Sequence, residues 1–224
     1  MPELTDLLPM LALVLAIGAF AGLVAGLLGV GGGIVLVPTF FFAFERLGYG
    51  GPDLMQICLA TSLATIVVTS LRSLLAHHRR GAVDWAILRG WAPWIAAGAV
   101  LGVVAAAGLR NEVLMAIFGI LGVAVALYLA FGREDWRLGD RMPTGLARAV
   151  TGPLIGLLSV LMGIGGGSFG VPLMRLHGVA VHRAVATAAG FGVLIAVPGV
   201  IAFLLVPGSG ETRPPLTLGQ VNLV

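Results

Sequence analysis

Residues 7–44 and 149–174 contain no charged side chain, and each stretch is longer than one bilayer crossing needs. A helix crosses a ~30 Å hydrocarbon core with about 20 residues. Each stretch is also interrupted at the same kind of place, by a glycine triplet with a proline five residues on: Gly31, Gly32, Gly33 and Pro38 in the first, Gly165, Gly166, Gly167 and Pro172 in the second. Such a run neither fits one straight span nor reads as a soluble core. Composition agrees, since 58% of the 224 residues are apolar and 10% are charged, against roughly 25% charged in soluble domains. The expected fold class is an all-α polytopic membrane protein.

Four further charge-free runs, 54–71, 90–109, 113–132 and 184–210, each suit a single crossing helix. The connectors at 77–89 and 133–148 are polar and rich in arginine. The two halves repeat one another. Gly29-Val30-Gly31-Gly32-Gly33-Ile34-Val35-Leu36-Val37-Pro38 reads against Gly163-Ile164-Gly165-Gly166-Gly167-Ser168-Phe169-Gly170-Val171-Pro172. Downstream, Ala60-Thr61-Ser62 reads against Ala186-Thr187-Ala188, and Gly81-Ala82-Val83-Asp84-Trp85 reads weakly against Gly219-Gln220-Val221-Asn222-Leu223. The organisation expected is a first transmembrane repeat over 1–132, a cytoplasmic linker over 133–148 and a second repeat over 149–224. Counterparts of the helices at 90–109 and 113–132 do not follow the second copy, so that repeat is expected to be incomplete and the chain to be a piece of a longer protein.

Orientation follows from arginine. The loops at 79–89 and 133–148 hold seven arginines between them and are separated by two spans, so both are expected in the cytoplasm. The loop at 45–53 then lies outside, and its counterpart at 175–183, with two arginines and two histidines, lies inside. Equivalent loops on opposite faces predict repeats of inverted topology, an arrangement found in many secondary transporters.

The arm after each glycine triplet has about 11 uncharged residues or fewer before a charged loop, and 11 helical residues rise only about 16 Å. A re-entrant or broken-helix hairpin is predicted at each motif, its glycine tip near the midplane and the two tips close together. Backbone N–H groups at the start of a short helix can hold an anion by hydrogen bonding and by the helix dipole. Unpaired backbone N–H groups at that depth are tolerated only where they line a cavity. The competing reading is that the glycines only allow close helix packing, though the duplication of the motif, with proline at the same offset, argues against that reading alone. A dinucleotide fingerprint is a poor alternative, because no strand precedes the glycines.

These segments, with the Arg79-Arg80-Gly81-Ala82-Val83-Asp84-Trp85 loop, resemble the TauE/SafE family of sulfite exporters, also described as toluene-sulfonate uptake permeases. The resemblance spans nearly the whole chain. It implies a multi-pass carrier of the bacterial inner membrane whose ligand is sulfite, a sulfonate or a related small organosulfur anion. The candidate binding residues are Gly31, Gly32, Gly33, Pro38, Thr61, Ser62, Gly165, Gly166, Gly167, Ser168, Pro172 and Thr187. The hydroxyls of Thr61, Ser62 and Thr187 are expected either to meet ligand oxygens or to satisfy their own helices. The partners implied are the anion and the lipid bilayer, with room for a homo-oligomer.

All 13 basic residues are arginine, which removes a P-loop lysine and a Schiff-base lysine together. Their placement between apolar runs reads as a topology signal, so nucleic acid is not an expected partner. Cys58 is the sole cysteine, which excludes an internal disulfide and reads as a packed hydrophobe. No cofactor or metal is implied. Every Asp and Glu falls in a loop or terminus, and no paired carboxylates, His-x-x-x-His or nucleophile motif lie within a span. An enzyme is therefore disfavoured, and a non-transporting scaffold or membrane-embedded enzyme stands as the alternative to a carrier. Arg72 is read as an interfacial anchor and His77, His78, His177 and His182 as residues bordering the cytoplasmic face. Trp85, Trp91, Trp94 and Trp136 are assigned to an interfacial belt.

Overall fold

A computed structural model describes residues 32–132, 136–208 and 216–222, together with Ala19 and Pro214. Seven helices are described: α1 (Gly33–Arg46), α2 (Leu54–Arg79), α3 (Trp85–Gly108), α4 (Asn111–Phe131), α5 (Gly145–Leu161), α6 (Gly167–Leu176) and α7 (Val181–Leu205). A two-stranded antiparallel ribbon closes the described chain, β1 (Thr217–Leu218) pairing with β2 (Val221–Asn222) across the Gly219-Gln220 turn. The ribbon aside, the described elements are helical, consistent with the all-α membrane class. The ribbon's turn needs a left-handed backbone at Gly219, where φ is 57°.

Helices α2, α3, α4 and α7, with 26, 24, 21 and 25 residues, are long and apolar enough to cross a membrane. They follow the four single-crossing runs; α3, α4 and α7 begin two to five residues before theirs, α2 continues past its own, and α7 stops at Leu205, short of residue 210. α2 runs through His77, His78 and Arg79, because a charged last turn interacts favourably with the helix C-terminus. α3 begins five residues before its charge-free run, because the Asp84 carboxylate caps it by accepting from the backbone N–H groups of Ala86 and Ile87, both at 3.1 Å. α1, α5 and α6 are shorter, at 14, 17 and 10 residues. α6 therefore rises only about 15 Å.

The centre of the bundle is the pair α2 and α7, which cross antiparallel. Gly192 sits against Ser70, and Gly199 lies beside Leu63, so the chain rises along one helix as it falls along the other. α1 packs on α2, and α6 packs on α7. On one flank α3 and α5 run parallel along a glycine seam. Gly98 and Gly102 of α3 meet Pro153, Leu157 and Val160, while Gly152 and Gly156 of α5 meet Trp94, Ile95 and Ala99. Both helices carry a Gly-x-x-x-Gly spacing there, which lets backbones approach closely in lipid.

Leu59, Leu63, Ile95, Ile195, Phe191 and Phe203 are fully buried in this core. α4 lies at the periphery and exposes Ile120, Val123 and Phe131 at 70%, 60% and 71%. With Val104, Val150 and Ile201 they give an apolar outer surface suited to acyl chains. Trp91 corrects the belt assignment. It is 2% exposed and stacks on Phe191 at 6.3 Å between ring centroids, because Leu88, Trp91 and Ile95 share the face of α3 that turns inward. Trp94 and Trp136 are exposed and Trp85 is half-buried.

Candidate functional site

Each described short helix begins at the last glycine of its motif. α1 opens at Gly33 with Gly32 before it, and α6 opens at Gly167 with Gly166 before it; neither start is capped by a side chain. Pro38 and Pro172 both occupy the sixth helical position. A proline there cannot donate to the carbonyl one turn earlier, and the first N–H groups of each helix also lack intrahelical acceptors. Gly31 lies outside the described residues.

The two motifs meet. The carbonyl of Gly163 and the Cα of Ile164 occupy the space that a Cβ on Gly33 would fill. Gly163 in turn has φ 57°, and a Cβ there would stand 2.7 Å from Val37 Cγ2 and 3.1 Å from Leu59 Cα. Ser62, fully buried on α2, donates its hydroxyl to the same Gly163 carbonyl at 2.7 Å. Backbone contact at the junction thus needs glycine on both sides, and a hydroxyl from α2 fixes it.

The glycines of the second motif differ in crowding. Gly166 is pressed onto α7, where Phe191 Cβ occupies the position of a Cβ and Ala188 O stands 2.8 Å from it. Gly165 has more room, with Ile66 Cγ2 at 3.4 Å and Ser70 Oγ at 3.7 Å from a Cβ position. Close packing therefore accounts for Gly33, Gly163 and Gly166, and leaves Gly165 without a packing explanation of that strength. Gly167 and Pro172 are half-buried, and Ser168 is 4% exposed within the first turn of α6.

Thr61 and Thr187, at 3% and 0% exposure, are committed to the loops. Thr61 Oγ1 accepts the backbone N–H of Asn222 at 3.0 Å, and Thr187 Oγ1 accepts that of Asp84 at 2.9 Å. The candidate hydroxyls of Thr61, Ser62 and Thr187 thus all have partners within the chain.

Ser70 was not among the sequence candidates. It lies on α2 beside Gly192 of α7, and the point where a Gly192 Cβ would stand is 3.6 Å from Gly166 N. A half-buried hydroxyl is thereby set next to the opening of α6 and to Gly165. The available signal was its spacing, two helical turns beyond Ser62 on the α2 face that meets α7. Arg72, two residues on, is exposed. Among the described residues no group of three His, Cys, Asp or Glu could hold a metal ion.

The sequence model of a family described as "Sulfite exporter TauE/SafE" matches residues 14–224. A "Probable membrane transporter protein" of Haemophilus influenzae is 33% identical over 211 residues, covering 94% of this chain and 80% of the relative. A protein of the same description from Methanocaldococcus jannaschii is 28% identical over 200 residues, covering 89% of this chain and 74% of the relative. The "Probable membrane transporter protein YunE" of Bacillus subtilis is 28% identical over 189 residues, covering 73% and 67%. No solved structure matches the chain. With a family match over nearly its whole length, the chain belongs to the TauE/SafE sulfite exporter family.

Proposed function

We propose that this membrane transporter is a secondary carrier, an exporter, of sulfite, a sulfonate or a related small organosulfur anion. The observation that carries this reading is the meeting of two glycine-opened short helices at Gly33 and Gly163. The second opening leaves room at Gly165 next to the Ser70 hydroxyl and Gly166 N. An oxyanion there would accept from N–H groups at the start of α6 and from Ser70, with the helix dipole favouring its charge.

An inverted repeat is supported by three pieces of geometry. α2 and α7 follow equivalent motifs and run antiparallel. The Thr187–Asp84 bond lies at the arginine-rich end, where Arg183 also pairs with Asp84 at 3.3 Å. The Thr61–Asn222 bond lies at the other end, where Asn111 Oδ1 accepts from Met55 N at 2.8 Å and Gln56 donates to the Leu109 carbonyl at 2.9 Å. With the arginine-rich end in the cytoplasm, the location would be the bacterial inner membrane.

The test is flux of radiolabelled sulfite and of an alkyl sulfonate across liposomes containing the purified full-length protein. Saturable flux that falls several-fold in Ser70→Ala, with unchanged folding, is the expected result. Protein-dependent flux of neither anion would refute the substrate class.

A further inference from the structure

Gly90 makes room for a charge. Along the α3–α5 seam, Gly98, Gly102, Gly152 and Gly156 each accommodate backbone or apolar carbon of the opposing helix. At the arginine-rich end, the place of a Gly90 Cβ is instead 2.8 Å from Arg148 Nη1 and 3.9 Å from its Cζ. Arg148 belongs to the first turns of α5 and is half-buried, and its Nε is buried with no hydrogen-bond partner.

Among the described residues no carboxylate pairs with Arg148. At this end Arg137 pairs with Asp140 and Arg183 with Asp84, and the Asp84 carboxylate also caps α3. Nearby Arg89 carries the same sign and lies over the Trp85 ring at 5.8 Å. An arginine that merely reached for water at a helix end would carry its guanidinium clear of the protein. Here one edge is laid in a glycine notch, which removes water from a charged donor without supplying an acceptor, and such a group gains most from an anion.

We propose that Arg148 in the Gly90 notch is a seat for a tetrahedral oxyanion at the cytoplasmic end of the α3–α5 seam. It is separate from the glycine-motif junction. A guanidinium offers planar paired donors that suit phosphate or sulfate oxygens. Two sources share that chemistry: the phosphodiester of an anionic lipid headgroup, and a free oxyanion in the cytoplasm.

The experiment titrates purified, delipidated full chain with dioctanoyl phosphatidylglycerol, dioctanoyl phosphatidylcholine and inorganic sulfate, reading binding by native mass spectrometry and by calorimetry. Phosphatidylglycerol binding at least about tenfold tighter than phosphatidylcholine, about 1.4 kcal/mol, is expected in the wild type. It should be lost in Arg148→Gln and kept in Arg141→Gln, which removes an exposed arginine of the same end. Sulfate binding that depends on Arg148, without a phosphatidylglycerol preference, would identify the free oxyanion as the occupant. If Arg148→Gln does not fold, Gly90→Ala decides, because it keeps the charge and displaces the guanidinium; several-fold weaker binding is expected. Binding of both probes that is equal in wild type and these variants would overturn the proposal.

Discussion

The backbone N–H of Asn222 donates to the hydroxyl of Thr61 at 3.0 Å, joining the β1–β2 ribbon to helix α2. Asp84 and Thr187 form the reciprocal bond at 2.9 Å. Both loops turn at a glycine with positive φ three residues earlier, Gly219 at 57° and Gly81 at 65°. In sequence, Thr61 matches Thr187 within Ala-Thr segments, and Asp84 matches Asn222 more weakly. Each threonine thus serves as the acceptor that lets a polar loop tuck against a buried helix.

Replacing either threonine by valine keeps the shape and removes the acceptor. A buried N–H left unpaired costs about 1–3 kcal/mol. Thr61→Val and Thr187→Val should each lower unfolding stability in detergent by that amount, while Thr61→Ser and Thr187→Ser stay near wild type. Valine variants as stable as the wild type would show that the loops do not depend on these bonds.

The glycines of the motifs should separate into packing and binding positions. Gly163→Ala combines positive φ with a Cβ 2.7 Å from Val37 Cγ2, and about 3 kcal/mol of destabilisation is expected. Gly166→Val should fail to fold by colliding with Phe191. Gly165→Ala, whose Cβ would meet Ile66 Cγ2 at 3.4 Å, should fold and yet lose anion flux. Full flux in folded Gly165→Ala would return the triplet to a packing role.

Sequence alone reached the four helices long and apolar enough to cross a membrane, because charge-free length is a local signal, and it matched Thr61 to Thr187 as corresponding positions. What escaped it depended on which face of a helix turns inward. Trp91 was assigned to the interface by its position near a run's end, yet the Leu88-Trp91-Ile95 face packs inside. Ser70 has no counterpart in the motif match and gains its place only when α2 crosses α7. Nor does a residue string tell whether a hydroxyl's partner will be a ligand or a loop 161 positions away, as for Thr61 and Asn222.

Arg72 is exposed on α2, two residues from Ser70. If it anchors the helix, Arg72→Gln should retain most of the anion flux of the wild type in liposomes, whereas flux falls several-fold in Ser70→Ala. The opposite ranking would put the charge, not the hydroxyl and the helix opening, at the centre of binding.

Energy coupling follows from where the acids stand. Carriers that couple to protons or sodium commonly hold an Asp or Glu within a span. Among the described residues, Asp53 and Asp84 precede helices, Glu45 and Glu112 occupy terminal turns, and Asp140 lies in the linker. These 224 residues contain no lysine and so no P-loop motif. The membrane potential can supply the work, because an anion leaving an inside-negative cell gains about 2.3 kcal/mol per charge per 100 mV. Doubly charged sulfite gains about twice that, roughly a thousandfold in concentration ratio at about 1.4 kcal/mol per tenfold. Export from proteoliposomes should therefore follow an imposed potassium-diffusion potential with pH and sodium equal on both sides. Flux that ignores the potential and tracks a proton gradient would refute this coupling and direct attention to His77, His78, His177 and His182.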